Sequence, residues 1–297
     1  MSGDGIHIFL FSCAEYAPYL DECLDSIRTH VIDKILSINI VTNTTIKKDG
    51  CTTIEDRNFW NLLDPKFQYR NLYNHNWYKQ QFFKLHVDKY VDGNALIIDG
   101  DVLFTGPTKF MHQGTVDIYI TSTMPESKLK FVYNNFNKFL LDLNFEYNKD
   151  ESFVSEVMIF STEILKNLRN EIENKHKKSW IDIMSSSLLI ATDVNSVDNP
   201  DYRLSEYELY GNYFYKNHKN LINNILRTSS KNFISRDPKV TKLSSTGPLT
   251  RWITFYEQVR DPSWPDCEYE KDFVNLPTHI KKECIEVFGY NPTLTTN

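Results

Sequence analysis

Apolar positions near the start of the chain change period twice. Ile6-His-Ile-Phe-Leu-Phe-Ser12 is nearly continuous and reads as a buried strand. Leu20, Cys23, Leu24 and Ile27 then fall at helical spacing, which predicts a helix over 16–30. Ile35, Leu36, Ile38, Ile40 and Val41 predict a second strand over 34–41. Strand, helix, strand in that order opens an α/β fold with a parallel sheet.

The pattern continues less regularly. The polar stretch 42–53 reads as a loop and 67–72 as a third strand. A helix is expected over 77–91, with Trp77, Gln81, Lys84, Leu85 and Asp88 on one face. Ala95-Leu-Ile-Ile-Asp99 is a short apolar strand that ends in a carboxylate. Strands are expected over 116–122 and 153–160, and helices over 127–143, 162–175, 179–190 and 205–226. Residues 233–243 predict short strands, and Pro262, Pro265 and Pro277 break up the tail. No internal repeat or linker-like shift interrupts the chain, so one domain over 1–297 is expected, with a mostly helical second half.

Composition narrows the function classes. A net charge of −6 argues against a nucleic-acid partner, which needs a basic face. The five cysteines contain no C-x-x-C pair, so reduced thiols in a cytoplasmic setting are the simplest expectation. The N-terminus lacks a basic segment and a long apolar run, so no signal peptide is expected. No stretch reaches the ~20 apolar residues of a transmembrane segment.

The first candidate for chemistry is Asp99-Gly-Asp101, just past the 95–99 strand. Ligands of open α/β sheets bind beyond the carboxyl ends of the strands. Two carboxylates one residue apart can converge on a hard divalent cation, Mn²⁺ or Mg²⁺, and Gly100 permits a tight turn between them. The preceding helix should run antiparallel to that strand. Its first turn, Trp77-Tyr-Lys-Gln-Gln81, is then expected beside the carboxylates, where a helix N-terminus, Lys79 and the amides of Gln80 and Gln81 would suit a phosphate.

Trp77-Tyr-Lys-Gln-Gln-Phe-Phe-Lys-Leu85, a short spacer and Ala95-Leu-Ile-Ile-Asp-Gly-Asp-Val-Leu-Phe104 together resemble glycosyltransferases of the GT-A type. The likeness is to members found in bacteria and large DNA viruses. Phe153-Val-Ser-Glu-Val-Met-Ile-Phe160 and Ser205-Glu-Tyr-Glu-Leu-Tyr-Gly-Asn-Tyr213 extend the resemblance to roughly residues 5–220. It implies a Rossmann-like GT-A fold with a mixed, mostly parallel central sheet flanked by helices. Residues 1–122 would hold the nucleotide-sugar donor and 123–297 the glycan acceptor. The expected activity is metal-dependent transfer of a sugar from a UDP-sugar to a glycan hydroxyl, leaning inverting. Asp101 would bind the metal, Asp99 would reach the donor ribose or the metal, and Phe11, Ser12 and Ala14 would meet the nucleobase.

An inverting transfer needs a general base at the acceptor hydroxyl. Glu206 and Glu208, at a helix start with Ser205 as its cap, and Glu156, inside an apolar segment, are the candidates. His218 and His279 are candidates for a further metal ligand. Two other functions stay open on the residues themselves: a sugar nucleotidyltransferase, which also uses paired aspartates, and a non-catalytic carbohydrate-binding module.

Overall fold

The computed structural model describes residues 5–12, 20–43, 46–55, 75–100, 102–104, 106–122, 128–144, 146–148, 151–191, 203–227 and 233–235. Contacts divide the chain into two units, 1–233 and 234–297, and of the second only Ile234 and Ser235 are described.

The opening βαβ forms as its periodicity predicts. Strand β1 (Ile6–Phe11) leads to helix α1 (Leu20–His30) and to β2 (Ile35–Thr42). The residues of α1 that are buried are the predicted stripe, Leu20, Cys23, Leu24 and Ile27. Strand β3 (Thr52–Glu55) begins in the last two residues of the stretch 42–53 that reads as loop. It is an edge strand and only half buried, so its Thr-Thr-Ile-Glu has no apolar run to announce it.

Helix α2 (His75–Lys84) is shorter than expected. After Lys84 the chain tightens: His86 N–H bonds to Phe83 O at 2.8 Å, Lys89 N–H bonds to His86 O at 3.1 Å, and Val87–Lys89 is a 3-10 turn. The chain then returns in β4 (Asn94–Asp99). The short strands β5 (Val102–Phe104) and β6 (Met111–His112) precede β7 (Thr115–Ser122) and helix α3 (Lys128–Leu141). Next come β8 (Glu151–Ser152), β9 (Val157–Ser161), α4 (Thr162–His176), α5 (Trp180–Ala191) and α6 (Glu206–His218). Strands β10 (Ile222–Arg227) and β11 (Phe233–Ser235) end the described chain.

The central sheet runs β3-β2-β1-β4-β9. Its first four strands are parallel, and β9 is antiparallel to β4. Ala95, Leu96, Ile97 and Ile98 are fully buried, as are Ile8, Phe9 and Leu10 of β1, because helices cover the sheet. This is a mixed, mostly parallel α/β sheet, as expected. A second sheet centres on β7, with β10 parallel to it and β6 and β8 antiparallel.

Two further expectations need correcting. The anticipated helix over 205–226 ends at His218, and β10 takes its place beyond a 3-10 turn at Lys219–Leu221. The buried Asp117 carboxylate of β7 accepts hydrogen bonds from Asn223 and Asn224 at 2.8 and 3.0 Å, which holds β10 in the sheet. The strand expected over 153–160 begins only at Val157, because Glu156 adopts a left-handed backbone at φ 65°. Among the described residues no helix is long and apolar enough to cross a membrane. The described cysteines, Cys23 and Cys51, are free thiols.

Candidate functional site: a carboxylate at the strand end

The order of the central sheet reverses at β1, whose neighbours β2 and β4 lie on opposite sides. Crevices at such switch points, beyond the carboxyl ends of the strands, are where α/β sheets bind ligands. Phe11 and Asp99 are paired across this gap as the last residues of β1 and β4. Gly100 follows at contact distance: a Cβ there would lie 2.2 Å from Phe11 O and 3.1 Å from Ser12 Cα. Backbone cannot yield to that intrusion, so the position requires glycine. Ser12 N–H donates to Val41 O at 2.9 Å and Asp99 N–H to Glu156 O at 3.0 Å, which pins both strand ends.

Lys84, in the last turn of α2, reaches this strand end with its side chain only 3% exposed. An ammonium group has three donors and no acceptor. Here each donor finds a partner: Asp99 Oδ1 at 2.6 Å, Glu206 Oε1 at 2.7 Å and Tyr207 Oη at 3.3 Å. Nζ also sits over the rings of Tyr207 and Phe11, 4.5 and 5.4 Å from their centroids. Burial alone would lower the pKa of this amine, but the carboxylates of Asp99 and Glu206 outweigh burial and hold it above the ordinary lysine range. Burial pushes Glu206 the other way, above the usual carboxylate range, against the pull of Lys84. Tyr207 is raised well beyond an ordinary phenol by burial and then by the two acids, so it stays neutral and donates to Asp99 Oδ1 at 3.4 Å.

Helix α6 brings Glu206 and Tyr207 here, and its sequence explains how it is seated. Ser205 caps the helix by accepting Glu208 N–H, as expected, and Gln81 Oε1 accepts Glu206 N–H at 3.2 Å. Glu208 points away from Lys84 and accepts from Ser152 Oγ, from Phe153 N–H at 3.1 Å and from Asn212 Nδ2 at 3.0 Å. Tyr210 stacks on Phe160 and its hydroxyl accepts Ser161 N–H at 2.8 Å. Gly211 lets the Phe153 ring approach within 2.3 Å of where a Cβ would stand. Asn212 Oδ1 accepts Glu146 N–H at 3.0 Å. The segment 205–212 is thus a docking face that aims its first turn at Asp99.

The predicted site residues separate accordingly. Phe11, Ser12, Gln81, Asp99, Gly100 and Glu206 lie around the strand end, and Glu156 borders it through its carbonyl. The first turn of α2 does not face Asp99: residues 85–93 make up much of the descent from helix to strand, so the last turn lies level with the carboxylate. Lys79 is five residues before Lys84, about 7.5 Å along the axis and on another face. Gln80 is half-buried beside it, and Trp77 is placed on α2 by its backbone alone. Glu208 serves the seat of α6 instead of the strand end. His218 closes α6, about 18 Å from Glu206 along the axis, and its ring packs near Tyr213 and Phe214, so it is no ligand to a cation at Asp99. Ala14, Asp101 and His279 lie outside the described residues.

The donor set suits a hard cation. Asp99 Oδ1 is taken by Lys84 and Tyr207, while Oδ2 takes no hydrogen bond from a described residue and the side chain is 27% exposed. At this strand end two acids meet one ammonium among the described residues, which leaves negative charge in excess. Among the described residues no three His, Cys, Asp or Glu side chains gather as a complete metal site. Sequence reading missed Lys84 and Tyr207 as site residues. The signal for Lys84 was its place on the buried face of α2, since a lysine on an apolar stripe needs an acidic partner.

No curated protein matches the chain. Residues 26–242, which span Lys84, Asp99 and Glu206, match the model of DUF6492, a family of unknown function, and the chain belongs to that family.

Proposed function

We propose that the chain is a metal-dependent glycosyltransferase of the GT-A type, which moves a sugar from a nucleoside diphosphate sugar, first of all a UDP-sugar, to a hydroxyl of a glycan. The observation that carries this reading is Asp99, fixed at the switch point of the sheet with one oxygen held by buried Lys84 and the other held by no described donor. The three donors of Lys84 are all committed inside the protein, so this lysine cannot neutralise a diphosphate. With acid in excess among the described residues, a diphosphate would dock at this strand end with a cation between, which favours Mn²⁺ or Mg²⁺ at Asp99 and Asp101. When bound, such a cation would stabilise the negative charge of the departing diphosphate.

We assign the general base to Glu156. It is half-buried, its carbonyl bonds Asp99 N–H, and its left-handed backbone is of the strained kind found at functional sites. Glu156→Gln is expected to lower kcat by about 10² to 10⁴ with donor affinity kept. A retaining mechanism would leave kcat nearly unchanged.

A screen of nucleoside diphosphate sugars with Mn²⁺ tests the function. Release of nucleoside diphosphate, lost on chelation and in Asp99→Asn, is the expected result. Release of pyrophosphate when a nucleoside triphosphate and a sugar 1-phosphate are supplied instead would move the assignment to a sugar nucleotidyltransferase. Sugar binding without turnover would point to a carbohydrate-binding module.

A further inference from the structure

Lys84 differs from an ordinary buried ion-pair partner in what it holds. Glu206, its deeper acid, is 4% exposed and mounted rigidly, with its N–H on Gln81 Oε1 and its helix capped by Ser205. Asp99, its outer acid, stands at the crevice with Oδ2 turned to no described donor. Rings of Phe11 and Tyr207 confine the ammonium between these acids. The arrangement runs from a fixed anchor, through a caged cation, to a half-open carboxylate. Partners that orient a ligating carboxylate in this way typically change metal affinity when removed.

We propose that Lys84, anchored by Glu206 and Tyr207, is a positioning residue that fixes Asp99 so that Oδ2 is the oxygen presented to a divalent cation. This rests on the reading of Asp99 as a cation ligand. Glu206 then acts through Lys84 and touches no substrate, although its place in the helix motif suggests a base.

Orientation can be separated from charge. The Lys84–Glu206 pair contributes no net charge, whether its proton sits on nitrogen or on oxygen. Replacing both groups, in Lys84→Met/Glu206→Leu, leaves the charge of Asp99 as it was and removes the ammonium that holds it, while Tyr207 still donates to Oδ1. Apolar residues of similar volume often substitute for a buried pair with little loss of stability. The experiment titrates the full chain with Mn²⁺, following the electron paramagnetic resonance signal of free Mn²⁺ with and without UDP, beside a thermal melt. The double variant is expected to bind Mn²⁺ ten- to a hundredfold more weakly while keeping its melting point within about 5 °C. Unchanged affinity in a folded double variant would overturn the positioning role and leave the proposed function standing. If the double variant does not fold, Tyr207→Phe decides: it keeps the ring under Lys84 and removes one donor to Asp99. About a threefold loss of Mn²⁺ affinity is then expected, and none would overturn the proposal. A wild-type chain that binds neither Mn²⁺ nor UDP would retire the strand-end reading itself, and the positioning role with it.

Discussion

Two buried cations flank the same stretch of chain, and they are built to different ends. Arg169 of α4 donates to Asp88 Oδ2 at 2.6 Å and to Leu85 O at 2.5 Å, and it lies 5.6 Å from the centre of the Trp180 ring. One cation meets one acid, and the Asp88 side chain is fully buried. Lys84, just before Leu85, meets two acids, one of them open to the crevice. Burial and ion pairing are common to both, so neither marks a functional site. The surplus acid and its partial exposure are what separate them. Arg169 ties the chain after α2 to α4, whereas Lys84 leaves a charge at the surface for something else to meet.

The sharpest way to break this contrast is to remove Arg169. Arg169→Met leaves the Asp88 carboxylate buried without a cation, with Oδ1 already lacking a partner, and strips Leu85 O of its donor. Removing one member of such a pair costs about 3–5 kcal/mol. Urea denaturation should show that loss, and Arg169→Met/Asp88→Leu should recover much of it. Mn²⁺ affinity of the folded variant should equal that of wild type. A change in that affinity would mean that the two clusters are one system.

A smaller effect lies beside Arg169. His86 stacks on Trp180, and its pKa falls from 6.5 to about 4, through burial first and then the Arg169 charge. Above pH 6.5 the ring is neutral in both folded and unfolded chains, and nothing is at stake. Between 6.5 and about 4 the unfolded chain takes up a proton that the folded one refuses, so stability falls as the pH falls. The full window is worth about 3 kcal/mol. His86→Phe keeps an aromatic ring against Trp180 and should flatten this acid limb in denaturation curves taken from pH 7 to 4. An unchanged limb would assign the acid sensitivity to other groups.

Much of the frame behind both clusters was legible in the sequence, because local periodicity governs it. The buried face of α1 and the strand ending at Asp99 follow from apolar spacing alone. Lys84 was legible as a position on a buried helix face, and Asp88, expected on the same face, proves to be buried in the 3-10 turn that follows. Their partners were not, since Glu206 lies 122 residues beyond Lys84 and Arg169 lies 81 beyond Asp88. No local pattern carries such pairings. The left-handed Glu156 was hidden too: its neighbours are apolar and strand-like, and the break is set by the separate pairing of Ser152 with Thr121 of β7 and of Val157 with Ile98 of β4.

Glu208 sharpens the comparison most finely, because it sits two residues from Glu206 and does the opposite work. Its Oε1 accepts both Ser152 Oγ and Phe153 N–H, and its Oε2 accepts Asn212 Nδ2. Glu208→Gln can keep the first two bonds on its amide oxygen. Its amide nitrogen would then face Asn212 Nδ2, donor against donor. Asn212 cannot turn its amide over without losing the bond from Glu146 N–H to Oδ1 at 3.0 Å. Losing one of these bonds costs about 1–2 kcal/mol, less than the loss of Arg169. Thermal melts should show that small loss, with Mn²⁺ affinity and kcat of the folded variant within about twofold of wild type. A large fall in kcat at normal stability would restore Glu208 as a base, and would mean that the seat of α6 and the chemistry share one residue.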